Sequence, residues 1–144
     1  MKKILIQLIA AVCLVSLTNL AIAQLPDVQT QNGIQYLTGG IGSEESDAIK
    51  ADAHNWSMEI TFSEIGPERA RWVADIDFQI QNASNQVILK AVSEGPLVLV
   101  KLPKGQYTIS AINSGVEVHH QVEVKTGGVQ KVSIFWKPQE ALVK

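Results

Sequence analysis

Two adjacent histidines, His119 and His120, are the first residues whose types could do chemistry, as metal ligands or as general bases. They lie within the alternating segment VEVHHQVEV, which is typical of a strand. Neighbouring residues of a strand point to opposite faces, so the two imidazoles cannot bind one metal ion from a regular strand. We expect His120 to be at least partly buried on the side of the valines, and His119 to lie outside.

Two carboxylates, Asp75 and Asp77, share the outward face of a second alternating segment, and we expect them near Glu59 and Glu64. Paired carboxylates can bind calcium or act as acid and base. No Asp/Asn-rich loop with a suitably spaced glutamate accompanies them. The pattern therefore favours a solvated strand face.

The remaining motifs predict no reaction centre. The glycine cluster TGGIG lacks the Lys-Ser/Thr that follows in a phosphate-binding loop, so we interpret it as a flexible turn before a helix. Ser43, Ser63 and the histidines show no nucleophile elbow or triad spacing. We predict no catalytic residue, no bound metal and no cofactor.

A tryptophan beside arginines is the strongest candidate for recognition. Trp72 ends the charged segment GPERARW, and an exposed tryptophan next to arginine has the composition of an interaction hot spot. The alternative is that Trp72 folds back to cap the core. Trp56 and Trp136 are in phase with apolar neighbours and are predicted to be buried. The candidate interaction patch consists of Glu68, Arg69, Arg71 and Trp72.

The first 23 residues predict export. Lys2 and Lys3 precede an apolar run, and Ala21-Ile22-Ala23 places small residues where a signal peptidase reads them. The run is shorter than the ~20 residues that span a bilayer. Cys13 lies inside it, without the preceding small residue of a lipidated cysteine. We predict cleavage after Ala23 and a periplasmic or secreted protein that stays off the membrane.

The mature chain would contain no cysteine, because Cys13 is the only one. It would therefore have neither a disulfide nor a thiolate nucleophile. Loss of Lys2 and Lys3 leaves ten basic against fourteen acidic residues, a net charge of about −4. This balance argues against nucleic acid and anionic membranes as partners, since both select a basic surface.

The chain divides into four predicted parts: the signal peptide 1–23, a leader with a short strand (34–37) and a helix (44–54) packed on the main domain, a β-domain at 56–137, and a tail at 138–144. Ser43 is the expected N-cap of the helix. From Trp56 to Trp136 the hydrophobic period is two, and short turns separate seven strands. This pattern predicts a seven-stranded antiparallel sandwich of the immunoglobulin type, preceded by one strand and one helix.

The segment PLVLVKLPKGQYTISA predicts a central strand, a tight corner at Pro103–Gly105 and a partner strand with Tyr107 and Ile109 in the core. The longer segment AVSEGPLVLVKLPKGQYTISA resembles the signature of carboxypeptidase regulatory-like domains, and the resemblance covers about residues 73–136. It implies a transthyretin-like sandwich, as in small exported bacterial proteins that carry this domain alone. Such domains are accessory modules, so the resemblance says little about function.

We therefore expect a non-catalytic exported interaction module whose partner is an exported or envelope protein. A carbohydrate-binding or small-ligand-binding protein is the alternative. A transthyretin-like hydrolase is less favoured, since the chain ends in EALVK and not in the YRGS-type tail of the hydroxyisourate hydrolases. The sequence does not indicate an oligomeric state.

Overall fold

A computed structural model describes residues 24–138. The predicted signal peptide and residues 139–144 of the predicted tail lie outside this range. Within it, no helix is long and apolar enough to cross a membrane. The elements in chain order are β1 (Gln29–Gln31), β2 (Ile34–Gly39), α1 (Ser43–Asp52), a 3-10 turn (Ala53–Asn55), β3 (Met58–Ile65), β4 (Ala70–Trp72), β5 (Ile76–Gln81), β6 (Val87–Ser93), β7 (Leu97–Val100), β8 (Gly105–Asn113), β9 (Val116–Val124) and β10 (Gln130–Trp136).

These strands form a two-layer sandwich. The larger sheet has the order β1-β2-β7-β3-β10, with β4 also paired to β3, and the smaller sheet has the order β6-β5-β8-β9. The mainly β prediction is confirmed, but the described residues form ten strands, whereas we expected eight, seven in the sandwich and one before it. β1 lies in the predicted leader, ahead of the expected strand at 34–37, and β4 lies in the charged segment GPERARW, and we predicted neither as a strand. Both are three-residue polar strands, so backbone pairing forms them without an apolar signal.

One strand pair departs from the expected antiparallel pattern. β10 runs parallel to β3, with Gln130 opposite Met58 and Trp136 opposite Glu64. Parallel neighbours need a long connection, and here the rest of the sandwich provides it. The first long strand of the domain and its last strand therefore lie side by side.

The main core fills the space between the two sheets. Alternate residues of β3, β5 and β8 point inward as predicted, and the ring of Phe62 lies 5.9 Å from that of Phe78 and 6.1 Å from that of Trp136. The inward-facing residues of these three strands are Met58, Ile60, Phe62, Ile76, Phe78, Ile80, Tyr107, Ile109 and Ala111.

The central strand β7 is buried on both faces, as its unbroken apolar run predicts. We expected β7 to pair with the strand that follows the Pro103–Gly105 corner, and it does not. β7 pairs with β2 and β3, whereas β8 lies in the smaller sheet between β5 and β9. The corner thus carries the chain from one sheet to the other, and the Tyr107 hydroxyl donates to the Pro103 carbonyl at 2.6 Å.

Helix α1 packs on the outer face of the larger sheet. Its Ile49 is fully buried in a second apolar cluster whose other buried members are Leu37, Ala53, Trp56, Leu97 and Leu99. Trp56 was predicted to share the inner face of β3, but the chain bends at Ser57 before the strand begins. The indole N–H of Trp56 instead donates to Asp52 at 2.7 Å, which ties the end of the helix to the sheet.

The N-cap of α1 is not the residue that we predicted. The N-cap is Gly42, and Ser43 is the first helical residue. Gly42 has a φ of 86°, which glycine adopts without strain. The Glu45 carboxylate accepts a hydrogen bond from the Gly40 backbone N–H at 2.7 Å. The glycine cluster therefore forms the turn that brings α1 back over β2.

Side chains of the β1–β2 hairpin close one edge of the smaller sheet. The Gln31 amide accepts from the Lys90 N–H at 2.7 Å and donates to the Lys90 carbonyl at 3.0 Å. The Asn32 amide donates to the Ile88 carbonyl at 3.1 Å. These amides bind three outward backbone groups of β6, at Ile88 and Lys90, that a further strand would otherwise use.

Substitution of Ile49 by alanine should weaken the attachment of α1. A fully buried isoleucine would leave a cavity, which typically costs about 2–5 kcal/mol of the free energy of unfolding. Chemical denaturation measures this loss, and limited proteolysis within 39–55 should become faster. Val92→Ala, at an exposed position, is the matched control. Unchanged protease resistance in Ile49→Ala would contradict the packing described.

Glu59 is a buried carboxylate with one oxygen that has no hydrogen-bond partner in the described part of the chain. Its side chain lies on the outer face of β3 between the positions of Leu99 and Lys131, and among the described residues its Oε2 has no hydrogen-bond partner. An unsatisfied buried polar group costs about 1–3 kcal/mol. Glu59→Met should therefore raise the melting temperature, whereas Glu123→Gln, at an exposed site, should not. A lower melting temperature for Glu59→Met would show that the carboxylate has a stabilising role.

Candidate functional site

On the outer face of the larger sheet, Ser63 has one aromatic residue on each side. β7 pairs with the first half of β3, and β4 continues along the same edge of β3. Ser63 therefore has Trp72 opposite it on β4 and Phe135 opposite it on β10. Directly opposed residues share one face of a sheet, and that face is outward because Phe62 points into the core.

We call Ile65, Trp72 and Phe135 the outer aromatic surface. Their exposed fractions are 38%, 46% and 48%, respectively. The columns that carry the two rings are two strand spacings apart, about 10 Å. The Lys50 ammonium of α1 lies 4.4 Å from the centre of the Trp72 ring, an arrangement of the cation–π type. The helix thus covers one part of the outer face and leaves the aromatic part open.

The predicted patch residues separate in the structure. Glu68, Arg69, Arg71 and Trp72 are all exposed, but only Trp72 belongs to the outer aromatic surface. Arg71 alternates to the opposite side and pairs with Glu64 at 2.8 Å. Glu64 also accepts from the Asn113 amide at 2.6 Å. The hydrogen bond from Arg71, followed by that from Asn113, lowers the pKa of Glu64 from its ordinary 4.5.

The outer face of the smaller sheet forms a groove of about 430 Å³ with both apolar and polar lining residues. In its wall the Ser110 hydroxyl lies 2.8 Å from His119 Nδ1, and His119 Nε2 lies 3.8 Å from a carboxylate oxygen of Glu117. These are the residue types of a serine nucleophile, its base and an orienting acid. The hydroxyl sits on a regular strand paired on both edges, so neighbouring N–H groups are committed to the sheet and do not form an oxyanion hole. The arrangement is that of a polar cross-strand network.

Two expectations about chemical residues are wrong. His120 is exposed, because β9 is an edge strand that pairs with β8 alone and is poorly covered at its centre. Asp77 lies on the outer face of the smaller sheet and Asp75 in the preceding turn, whereas Glu59 and Glu64 belong to the larger sheet. The four carboxylates therefore do not form one site. Within residues 24–138 no three His, Cys, Asp or Glu side chains are placed to hold a metal ion.

Sequence reasoning missed Phe135 and the Ser110–His119 pair. Alternation in β10, with Val132, Ile134 and Trp136 inward, places Phe135 outward and could have identified it. The turn at Ser114 opposes Asn113 to Val116, and counting back from it gives Ser110 opposite His119. That Phe135 and Trp72 share one row required the parallel β3–β10 register.

Comparison with known proteins adds no family. No protein-family model and no curated protein sequence matches the chain. The resemblance to carboxypeptidase regulatory-like domains therefore stays a prediction, and the candidate site rests on its own geometry.

The Glu64 network predicts a dependence of stability on acid pH. A carboxyl group with a lowered folded-state pKa stabilises the fold above its unfolded pKa, and this stabilisation is lost as the pH falls through the folded value. Glu64→Gln should therefore be less stable than the parent at neutral pH, and the difference should shrink below pH 4.5. Melting curves across this range measure the difference. A constant difference at every pH would contradict the proposed role of the charge, and Glu123→Gln controls for general charge loss.

Proposed function

We propose that this chain is a non-catalytic exported binding module that engages a partner protein through the outer aromatic surface. The single observation that carries the proposal is the row formed by Trp72, Ser63 and Phe135, whose two rings are each about half exposed on one sheet face. Tryptophan and other aromatic residues dominate binding energy at protein interfaces. Exposed apolar groups gathered on one face also mark interaction sites more reliably than scattered ones.

The surface is held in place before any partner arrives. Trp72 and Phe135 lie on strands paired to β3, and Lys50 restrains the Trp72 ring from the side of the helix. A preorganised surface loses little conformational entropy on binding. The alternative in which Trp72 caps the core is not favoured, because its ring lies on the outer face of the sheet.

Export to the periplasm or outside the cell is part of the proposal. It rests on the charged and apolar N-terminal segment and on Ala21-Ile22-Ala23 before the predicted cleavage. The partner would then be another exported or envelope protein. A carboxypeptidase regulatory-like domain is compatible with this function, since the resemblance implies an accessory module and no reaction.

Carbohydrate binding is the second candidate. Two rings carried on strands about 10 Å apart, with Ser63 on the strand between them, would suit linked sugar rings that stack on aromatic faces. A protein partner is favoured, because Ile65 adds an aliphatic contact and Lys50 already occupies part of the Trp72 ring. Hydrolysis is least favoured, since the Ser110–His119 pair lacks an oxyanion site.

Cross-linking in the native host followed by purification tests the proposal. The parent protein should capture one discrete protein, and Trp72→Ala and Phe135→Ala should each reduce its recovery by at least about tenfold, the effect of truncating a hot-spot residue. Val92→Ala removes an equally exposed apolar side chain from the other sheet and should capture as much as the parent.

Two results would contradict the protein-partner proposal. One is undiminished capture by both aromatic variants. The other is a parent that captures no protein and instead binds soluble oligosaccharides in a manner that depends on Trp72 and Phe135, which would favour the second candidate.

A further inference from the structure

The free strand edges of this sandwich are not equally protected. Among the described strands, β1 and β4 are only three residues long, and the edge of β6 is covered by Gln31 and Asn32. β9 carries exposed charged and polar side chains along its centre. Short strands, coverage and charge are the usual protections against pairing with another chain. β10 has seven residues, contains neither proline nor a bulge, and exposes Phe135.

The backbone groups that β10 offers can be identified from its pairing. The Gln130 N–H donates to the Ser57 carbonyl at 2.8 Å, so Gln130 and alternate residues after it point toward β3. The N–H and C=O groups of Lys131, Ser133 and Phe135 therefore point to the opposite edge. β9 belongs to the other sheet, and the Trp136 indole N–H at the end of β10 donates to the Val116 carbonyl of β9 at 2.8 Å. No hydrogen bond between backbone groups joins the two strands in the described part of the chain.

We propose that β10 pairs with β10 of a second copy of this chain, antiparallel and with the two-fold axis at Ser133. This register overlaps the whole strand and opposes every outward backbone group to another. Ser133 meets Ser133 of the second copy, and Lys131 meets Phe135 of the second copy twice, once on each side of the axis. Each of these is a hydrogen-bonded pair, in which the two residues exchange both of their backbone bonds.

The side chains match in the same register. Lys131 and Phe135 both project from the outer face, so each lysine lies beside an aromatic ring of the other copy, a favourable cation–π contact. No like charges are opposed. The equivalent self-pairing of β9, centred on His120, would oppose Glu117 to Glu123 of the second copy, and like charges directly opposite destabilise a sheet. For registers centred on the middle of each strand, charge therefore favours β10 over β9 as the self-pairing edge.

The dimer would join two larger sheets into one continuous sheet. The two-fold axis would be perpendicular to that sheet. Both outer aromatic surfaces would therefore lie on the same side of it. This inference shares Phe135 with the proposed function but rests on a different observation, the backbone edge of β10, and it leaves Trp72 accessible.

A single cysteine tests the position of the axis. The chain from Gln24 contains the described fold and no native cysteine. In Ser133→Cys two sulfurs would meet across a Cα separation of about 5.5 Å, which a disulfide spans. Mild oxidation should convert this variant to a covalent dimer that a reductant reverses. Ser84→Cys, in an exposed turn remote from β10, should remain largely monomeric. Equal cross-linking of the two variants would overturn the proposed axis.

Charge substitution tests the register without cysteine. Sedimentation equilibrium of the chain from Gln24 should show a reversible dimer. Phe135→Lys places positive charge opposite Lys131 of the second copy and should raise the dimer dissociation constant by at least about tenfold. Phe135→Glu makes an equally large change but opposes unlike charges, so it should retain the dimer. Loss of the dimer in both charge variants would overturn the register.

The remaining outcomes separate this inference from the proposed function. Trp72→Ala should dimerise like the parent even where it loses the captured protein. If the parent stays monomeric at every concentration, a second copy of the chain does not pair with the edge of β10, and the proposal is wrong. A monomeric parent whose captured protein is lost in Ser133→Pro, but retained in Trp72→Ala, would show that a segment of a different protein occupies the edge.

Discussion

The arrangement of this protein depends on the hydrogen bonding of strand β3 along both of its edges. One edge pairs first with β7 and then with β4, and the other pairs with β10 over its whole length. Its inward residues fill the space between the sheets, while Ser63 and Glu59 face outward. Because β4 and β10 have no other strand neighbours in the larger sheet, β3 alone decides where Trp72 and Phe135 lie. The candidate site is thus a direct consequence of this one strand.

Burial on both sides of the larger sheet explains the role of α1. Leu97 and Leu99 of β7 point away from the main core and would be exposed without a cover. The helix provides that cover mainly through Ile49, although its own apolar side is thin. The cover ends at Lys50, beside the Trp72 ring. The boundary between the buried and open parts of the outer face is therefore set by the length and position of a ten-residue helix.

The polar groups at the surface are largely committed to one another. Arg71 and Asn113 both bind Glu64, and Ser110 bonds to His119. Groups held in this way stabilise local geometry, and the Ser110–His119 pair has no oxyanion site beside it, because the neighbouring N–H groups belong to the sheet. By contrast, the Trp72 ring is contacted by Lys50 but stays about half exposed, and in the described residues no backbone hydrogen bond occupies the outward groups of β10. The proposed role as a binding module uses the groups that remain open.

The sequence by itself determined the period-two strands, the inward positions from Met58 to Ala111, and Trp72 as a candidate, because alternation and local composition are properties of neighbouring residues. The tertiary structure alone decided the passage of the chain between sheets at Pro103–Gly105, the exposure of His120, the ion pair that removes Arg71 from the patch, and the row joining Trp72 to Phe135. Each of these depends on which distant strand lies alongside. Strand order and register arise from the packing of the whole core, which no local pattern encodes.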